Sequence, residues 1–144
     1  MAAEVSQSLQ YTFLQQHTSN LYKAKKNATG EIVAIKQLLT IDLEDLSTAE
    51  WNIDVSQRLQ NEYIVKHHTS FIEGSTYFRV TEYCSAGSVT SIMRRLDICL
   101  TEAQISRILY NVLHALAFLH ENNLTHRKIA ADKILLDAEG NAKL

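Results

Sequence analysis

The chain has no proline in 144 residues, against an average usage of about 5%. No functional reading follows from that absence alone. Cysteine is scarce too. Cys84 and Cys99 have neither metal-ligand spacing nor the density of a disulfide framework, so a reduced compartment is the expectation. The formal net charge is only −2, which removes the electrostatic case for nucleic acid or an anionic membrane surface. No apolar run approaches the length that spans a bilayer. The opening "MAAEVSQSLQ" lacks the charged and apolar regions of a signal peptide, so a cytoplasmic location is expected. Low-complexity tracts and solenoid-period repeats are also missing. What remains is an ordinary globular composition, 46% apolar and 21% charged, of a size for one domain or two small lobes.

Punctuation and periodicity divide the chain. The stretch "SLQYTFLQQHTSNLYKAKK" alternates loosely, with Leu9, Tyr11 and Phe13 on one side. "NATG" at 27–30 is a turn signal, and the β-branched "EIVAIKQL" follows it. From Leu43 to Leu59, the residues Leu46, Ala49, Ile53 and Leu59 share a helical face. Two strands are expected around "EGST", then a Gly/Ser-containing connection at 85–88 and a short helix at "SVTSIMRRL". Thr101 followed by Glu102 and Gln104 reads as a helix start. Ile105, Ile108, Leu109, Val112, Leu113, Leu116 and Leu119 keep helical spacing to about Asn122. Ala115, Ala117 and Phe118 widen that stripe, so this helix is expected to be buried on several sides. "KILLDAEGNAKL" reads as a hairpin around "DAEG". The sum is an α+β chain: five antiparallel strands with one inserted helix, a linker, then two helices and a hairpin.

Four segments in this order carry a resemblance. "TGEIVAIK" at 29–36 resembles the third strand of protein kinases, with its V-A-I-K. "VTEYCSAGSV" resembles a kinase hinge. "LTEAQISRILYNVLHALAFLHENNLTHR" at 100–127 resembles the long helix leading into the catalytic loop, and "KILLDAEGNAKL" the hairpin after it. The chain is most similar to the germinal-centre-kinase group, the Hippo/MST-like serine/threonine kinases. The resemblance implies a five-stranded N-lobe over residues 1–83, a hinge connection at 84–88 and a partial helical C-lobe over 89–144, ending before the D-F-G segment.

It also implies roles for residues. Lys36 would hold the ATP phosphates; a solvated strand lysine is its plainer reading. Ala34, Leu21 and Leu135 fall where apolar residues sandwich adenine, with Thr81 at the gatekeeper position. The backbone of Glu82 and Cys84 would hydrogen-bond the base. The same residues serve equally well as core between two lobes.

The departures are chemical. The three glycine positions of the phosphate loop fall at Leu14, Gln16 and Ser19, where side chains keep the backbone from a phosphate. The helix glutamate that would pair with Lys36 falls at Asn52. His126 and Arg127 are kept, but Lys128 occupies the base position and Lys133 the metal-ligand position. A protonated lysine has no lone pair to accept a hydroxyl proton, and it repels Mg²⁺. Losing general-base help alone costs roughly 10²–10⁴-fold. Asp132 is the one carboxylate left in the loop, read as an ion-paired residue. The six histidines include no pair at zinc spacing on one helix face, so no metal is expected. The leading expectation is a pseudokinase that regulates a partner kinase or scaffold by binding. Its alternatives are a fragment of an active serine/threonine kinase and a module that binds ATP without Mg²⁺.

Overall fold

The computed structural model describes residues 7–39 and 59–144. The helix expected at 43–59, and Asn52 within it, lie outside the described residues apart from Leu59 itself. The chain divides into two compact units. Among the described residues, 7–39, 59 and 66–83 form the first, and 60–65 with 84–144 form the second.

The first unit is one antiparallel sheet. Its strands are β1 (Tyr11–Thr18), β2 (Leu21–Lys26), β3 (Ile32–Leu39), β4 (His67–Glu73) and β5 (Thr76–Glu82), in the order β1-β2-β3-β5-β4. Local chemistry sets the turns. Between β2 and β3, the Gly30 N–H donates to the Lys26 carbonyl at 2.8 Å, with Gly30 at φ +75°. Between β4 and β5, Glu73 pairs with Thr76, leaving a two-residue Gly74-Ser75 loop. Gly74 supplies the positive φ that such a tight hairpin needs.

One face of the sheet is a dry core of Tyr11, Ala24, Val33, Ile35, Phe71, Phe78 and Val80. The edge strands β1 and β4 meet through a stacked Tyr11–Phe71 pair at 6.3 Å, so the sheet curls around this core. The Phe71 ring continues the stack onto Phe78 at 5.0 Å. One expectation needs correction here. Leu9 lies in a 3-10 turn, Gln7–Gln10, and is exposed. Phe13 does share the side of Tyr11, opposite Ala24, where it is partly exposed and packs edge-on against Tyr22.

The second unit holds a two-residue strand β6 (Gly87–Ser88), helix α1 (Val89–Leu96), helix α2 (Glu102–Glu121), and the hairpin β7 (Leu135–Leu136) and β8 (Ala142–Lys143). Strand β6 pairs with β7 inside the Gly/Ser-containing connection expected at 85–88. Gly87 is at φ +88°, where a side chain is strained, and a Cβ there would meet Ser91 Oγ at 2.7 Å and make that hydroxyl shift. Ser88 caps α1 by accepting the Ser91 N–H. Thr101 and Gln104 form a reciprocal capping box on α2. The Asp137 carboxylate accepts the Glu139 and Asn141 N–H groups at 3.0 and 2.8 Å and shapes the last turn.

Helix α2 buries Ile108, Asn111, Val112, Ala115 and Leu119. It is not covered on several sides. Leu109, Tyr110 and Leu113 are 49%, 53% and 63% exposed, so only one face is packed. Residues 60–65 belong with this unit for a visible reason. The Tyr63 ring stacks on His114 at 5.1 Å, and the backbones of Tyr63 and Val65 bond to Leu144.

Candidate functional site

Register in the first unit brings several candidate residues together. Lys23 lies opposite Ala34, and Ala34 opposite Thr81. On the next rung of the same face, Leu21 lies opposite Lys36, and Lys36 opposite Arg79. Cross-strand partners share a face, and side chains alternate along a strand. Ala24, Val33, Ile35, Phe78 and Val80 occupy the core face. Leu21, Ala34, Lys36 and Thr81 therefore share the opposite face as one patch two rungs deep. Lys23 and Arg79 flank it, so the patch is apolar in places and cationic at its borders.

Glu82 ends β5 opposite Val33. Its N–H donates to the Lys66 carbonyl at 2.9 Å, and its carboxylate accepts the Lys66 N–H at 2.7 Å. Cys84 and Leu135 belong to the second unit. Cys84 is buried, and its carbonyl accepts the Gly87 N–H at 3.1 Å. Leu135 is half-buried between Ser88 and Lys143.

The β1–β2 hairpin carries Leu14, Gln16 and Ser19, all exposed. Two register shifts interrupt its ladder, between Phe13 and Gln15 and between Gln16 and Thr18. The hairpin is held to the end of the sheet. The His17 ring stacks on Tyr83 at 5.8 Å, with its Nε2 3.1 Å from the Tyr83 hydroxyl. Lys23 Nζ lies 4.9 Å from the same ring. Sequence reasoning missed this cluster, which spans 66 positions and has no local signature.

The loop after α2 is the second candidate locus. His126 is half-buried, and its Nδ1 is buried without a partner among the described residues. Arg127 sits at φ +63°, a left-handed conformation rare for a side chain of this size. Lys128 is exposed. A turn closes from the Lys133 N–H to the Ala130 carbonyl. It is braced where α1 begins, by the Val89 N–H on the Ile134 carbonyl and the Thr90 N–H on the Ala131 carbonyl. Lys133 Nζ bonds Asp132 Oδ2 at 2.6 Å. That hydrogen bond, then the charges of Lys133 and Lys128, outweigh desolvation and hold the Asp132 carboxyl below its ordinary range. A carboxylate so stabilised is a poorer proton acceptor than a free one.

A family model described as protein kinase domain matches residues 16–144. The chain belongs to the protein kinase family. The five-stranded sheet and the helices that follow it agree with the α+β fold expected of that family. Within this kinase domain, the loop's donor set does not fit a divalent cation. Lys133 brings an ammonium to this loop, and the neighbouring Asp132 carboxylate is already bonded to it. No cluster of three or more His, Cys, Asp or Glu side chains suited to a metal exists among the described residues. No described helix is long and apolar enough to cross a membrane.

Proposed function

We propose that this chain is a pseudokinase of the germinal-centre, Hippo/MST-like kind, a cytoplasmic regulator that acts by binding a partner kinase or scaffold. The observation that carries the reading is the loop after α2. Lys128 and the Lys133–Asp132 pair put two ammonium groups and a stabilised carboxylate where a kinase needs a base and a metal ligand. Leu14, Gln16 and Ser19 add side chains where phosphate-binding backbone would be bare. The losses fall on separate parts of the mechanism, so one substitution elsewhere does not offset them.

A second reading, nucleotide binding without metal, is favoured by the shared face of Leu21, Ala34, Lys36 and Thr81. A thermal-shift titration tests it. ATP is expected to raise the melting temperature equally with and without EDTA, by an amount that grows with ligand concentration. No shift at millimolar ATP removes the nucleotide reading and leaves the binding role. A shift abolished by EDTA contradicts both the metal-free site and the loop chemistry behind the pseudokinase assignment.

A further inference from the structure

A buried relay on the sheet is used by none of the readings above. The Tyr77 hydroxyl donates to Ser70 Oγ at 3.0 Å, and Ser70 Oγ lies 2.7 Å from His67 Nε2. Ser70 has one proton. With Tyr77 donating to its oxygen, that proton goes to His67 Nε2 in the neutral tautomer that leaves Nε2 bare. The imidazole proton then sits on Nδ1, which is buried without a partner among the described residues. His67 is 8% exposed and Tyr77 5%. The arrangement is not a nucleophile and its base. Ser70 Oγ is engaged by Tyr77, and no carboxylate among the described residues orients the imidazole.

The surroundings oppose a charged His67. Arg79 on β5 lies opposite Ser70, and His68 is the next residue of β4. Glu31 lies 3.7 Å from His68 Nε2, on the neighbouring ring rather than this one, the Glu82 carboxylate is held by the Lys66 N–H, and Lys36 lies opposite Arg79 on the same face. Glu73 projects from the other face of β4 by alternation. The 3-10 turn packed on β4 carries no ionisable side chain. Burial, then Arg79, then His68 push the His67 imidazole below its ordinary range.

The relay occupies a sensitive position. His67 pairs with Thr81 across a register shift at His68, and the doubly bonded Lys66–Glu82 contact adjoins it. Among the described strands, β4 is an edge strand that pairs with β5. Its His67 end precedes Phe71, whose ring is stacked in the core, so that end can open locally. We propose that His67 is an acid-sensitive latch: neutral, it holds Ser70 in the hydrogen bond to Tyr77 that ties β4 to β5, and protonated, it releases that edge. Protonation puts a hydrogen on Nε2, so Ser70 loses its acceptor and a cation is buried beside Arg79.

The sign follows from linkage. A histidine depressed in the fold contributes stability present above its unfolded value, near 6.5, and lost as pH falls below it. Hydrogen exchange read by mass spectrometry on 67–73 and 76–82 tests this, corrected for the intrinsic rate. Between about pH 7.5 and 5.5, opening is expected to rise by up to roughly tenfold per unit below the unfolded value, with α2 as internal control. His67→Gln keeps an acceptor for Ser70 but cannot titrate, and is expected to flatten the dependence. Should that variant fail to fold, ring NMR of the unsubstituted chain decides. His67 is expected to stay neutral on the Nδ1–H tautomer below the ordinary imidazole value, near 6.5. Constant protection of β4 across the range, or His67 titrating at that ordinary value, overturns the proposal.

Discussion

Replacing Ile35 by Ala is expected to remove about 2–5 kcal/mol from the strand unit, a large part of the roughly 5–15 kcal/mol that keeps a domain folded. Ile35 is fully buried at the centre of β3, among Val33, Val80 and the stacked Phe71–Phe78 pair. The surrounding rings are held across three strands, so the cavity left by the truncation closes only in part. Denaturant midpoints measure the loss. Ile72→Ala, on a residue 47% exposed, is the control and is expected to stay within about 0.5 kcal/mol. Equal losses at both sites would place the core elsewhere.

The second large effect concerns the loop. Converting Lys128→Asp and Lys133→Asn together replaces two ammonium groups with oxygen donors beside Asp132. The hydrogen bond that first holds the Asp132 carboxyl down is lost, and so are both cationic charges. Its titration is then expected to rise toward the ordinary carboxylate range, visible by NMR. Any stability that Asp132 contributes is present above its unfolded value and lost as pH falls through the depressed one, so the variant is less sensitive to acid there. Three oxygen-bearing side chains then line the loop. ATP binding by the variant is expected to become tighter with Mg²⁺ than with EDTA by about tenfold or more, roughly 1.4 kcal/mol. Phosphoryl transfer by the variant is not expected, because Leu14, Gln16 and Ser19 still occupy the hairpin. Metal-independence in the variant would contradict the view that charge at 128 and 133 excludes the cation.

Where structure followed local rules, the residues announced it. The β-branched run 32–35, the "NATG" and "DAEG" turns and the Thr101–Gln104 capping box each act within a few positions, and each is present. Leu21, Ala34, Lys36 and Thr81 came together for a related reason: period-two alternation and register put them on one face. The errors concern what lies beyond a segment's own length. Helical spacing marks an apolar stripe on α2 but does not say which flank meets a neighbour, so Leu109 and Leu113 were expected inside and Asn111 was not. Strand β6 is two residues long, too short for any periodicity to register. The His17–Tyr83 contact and the His67–Ser70–Tyr77 relay depend on strand partners and a bulge, which periodicity does not encode. At the loop the reverse holds. Lys128, Asp132 and Lys133 could be read in place, and the structure added the 2.6 Å bond that ties the last two together.

The central claim is that a kinase fold here has given up phosphoryl transfer. Radiolabelled γ-phosphate incorporation by the full-length product of this reading frame, with Mg²⁺ and a generic serine/threonine substrate, tests it most directly. Incorporation no greater than that of its Lys36→Met variant is the predicted result. Robust incorporation that Lys36→Met abolishes would contradict the account.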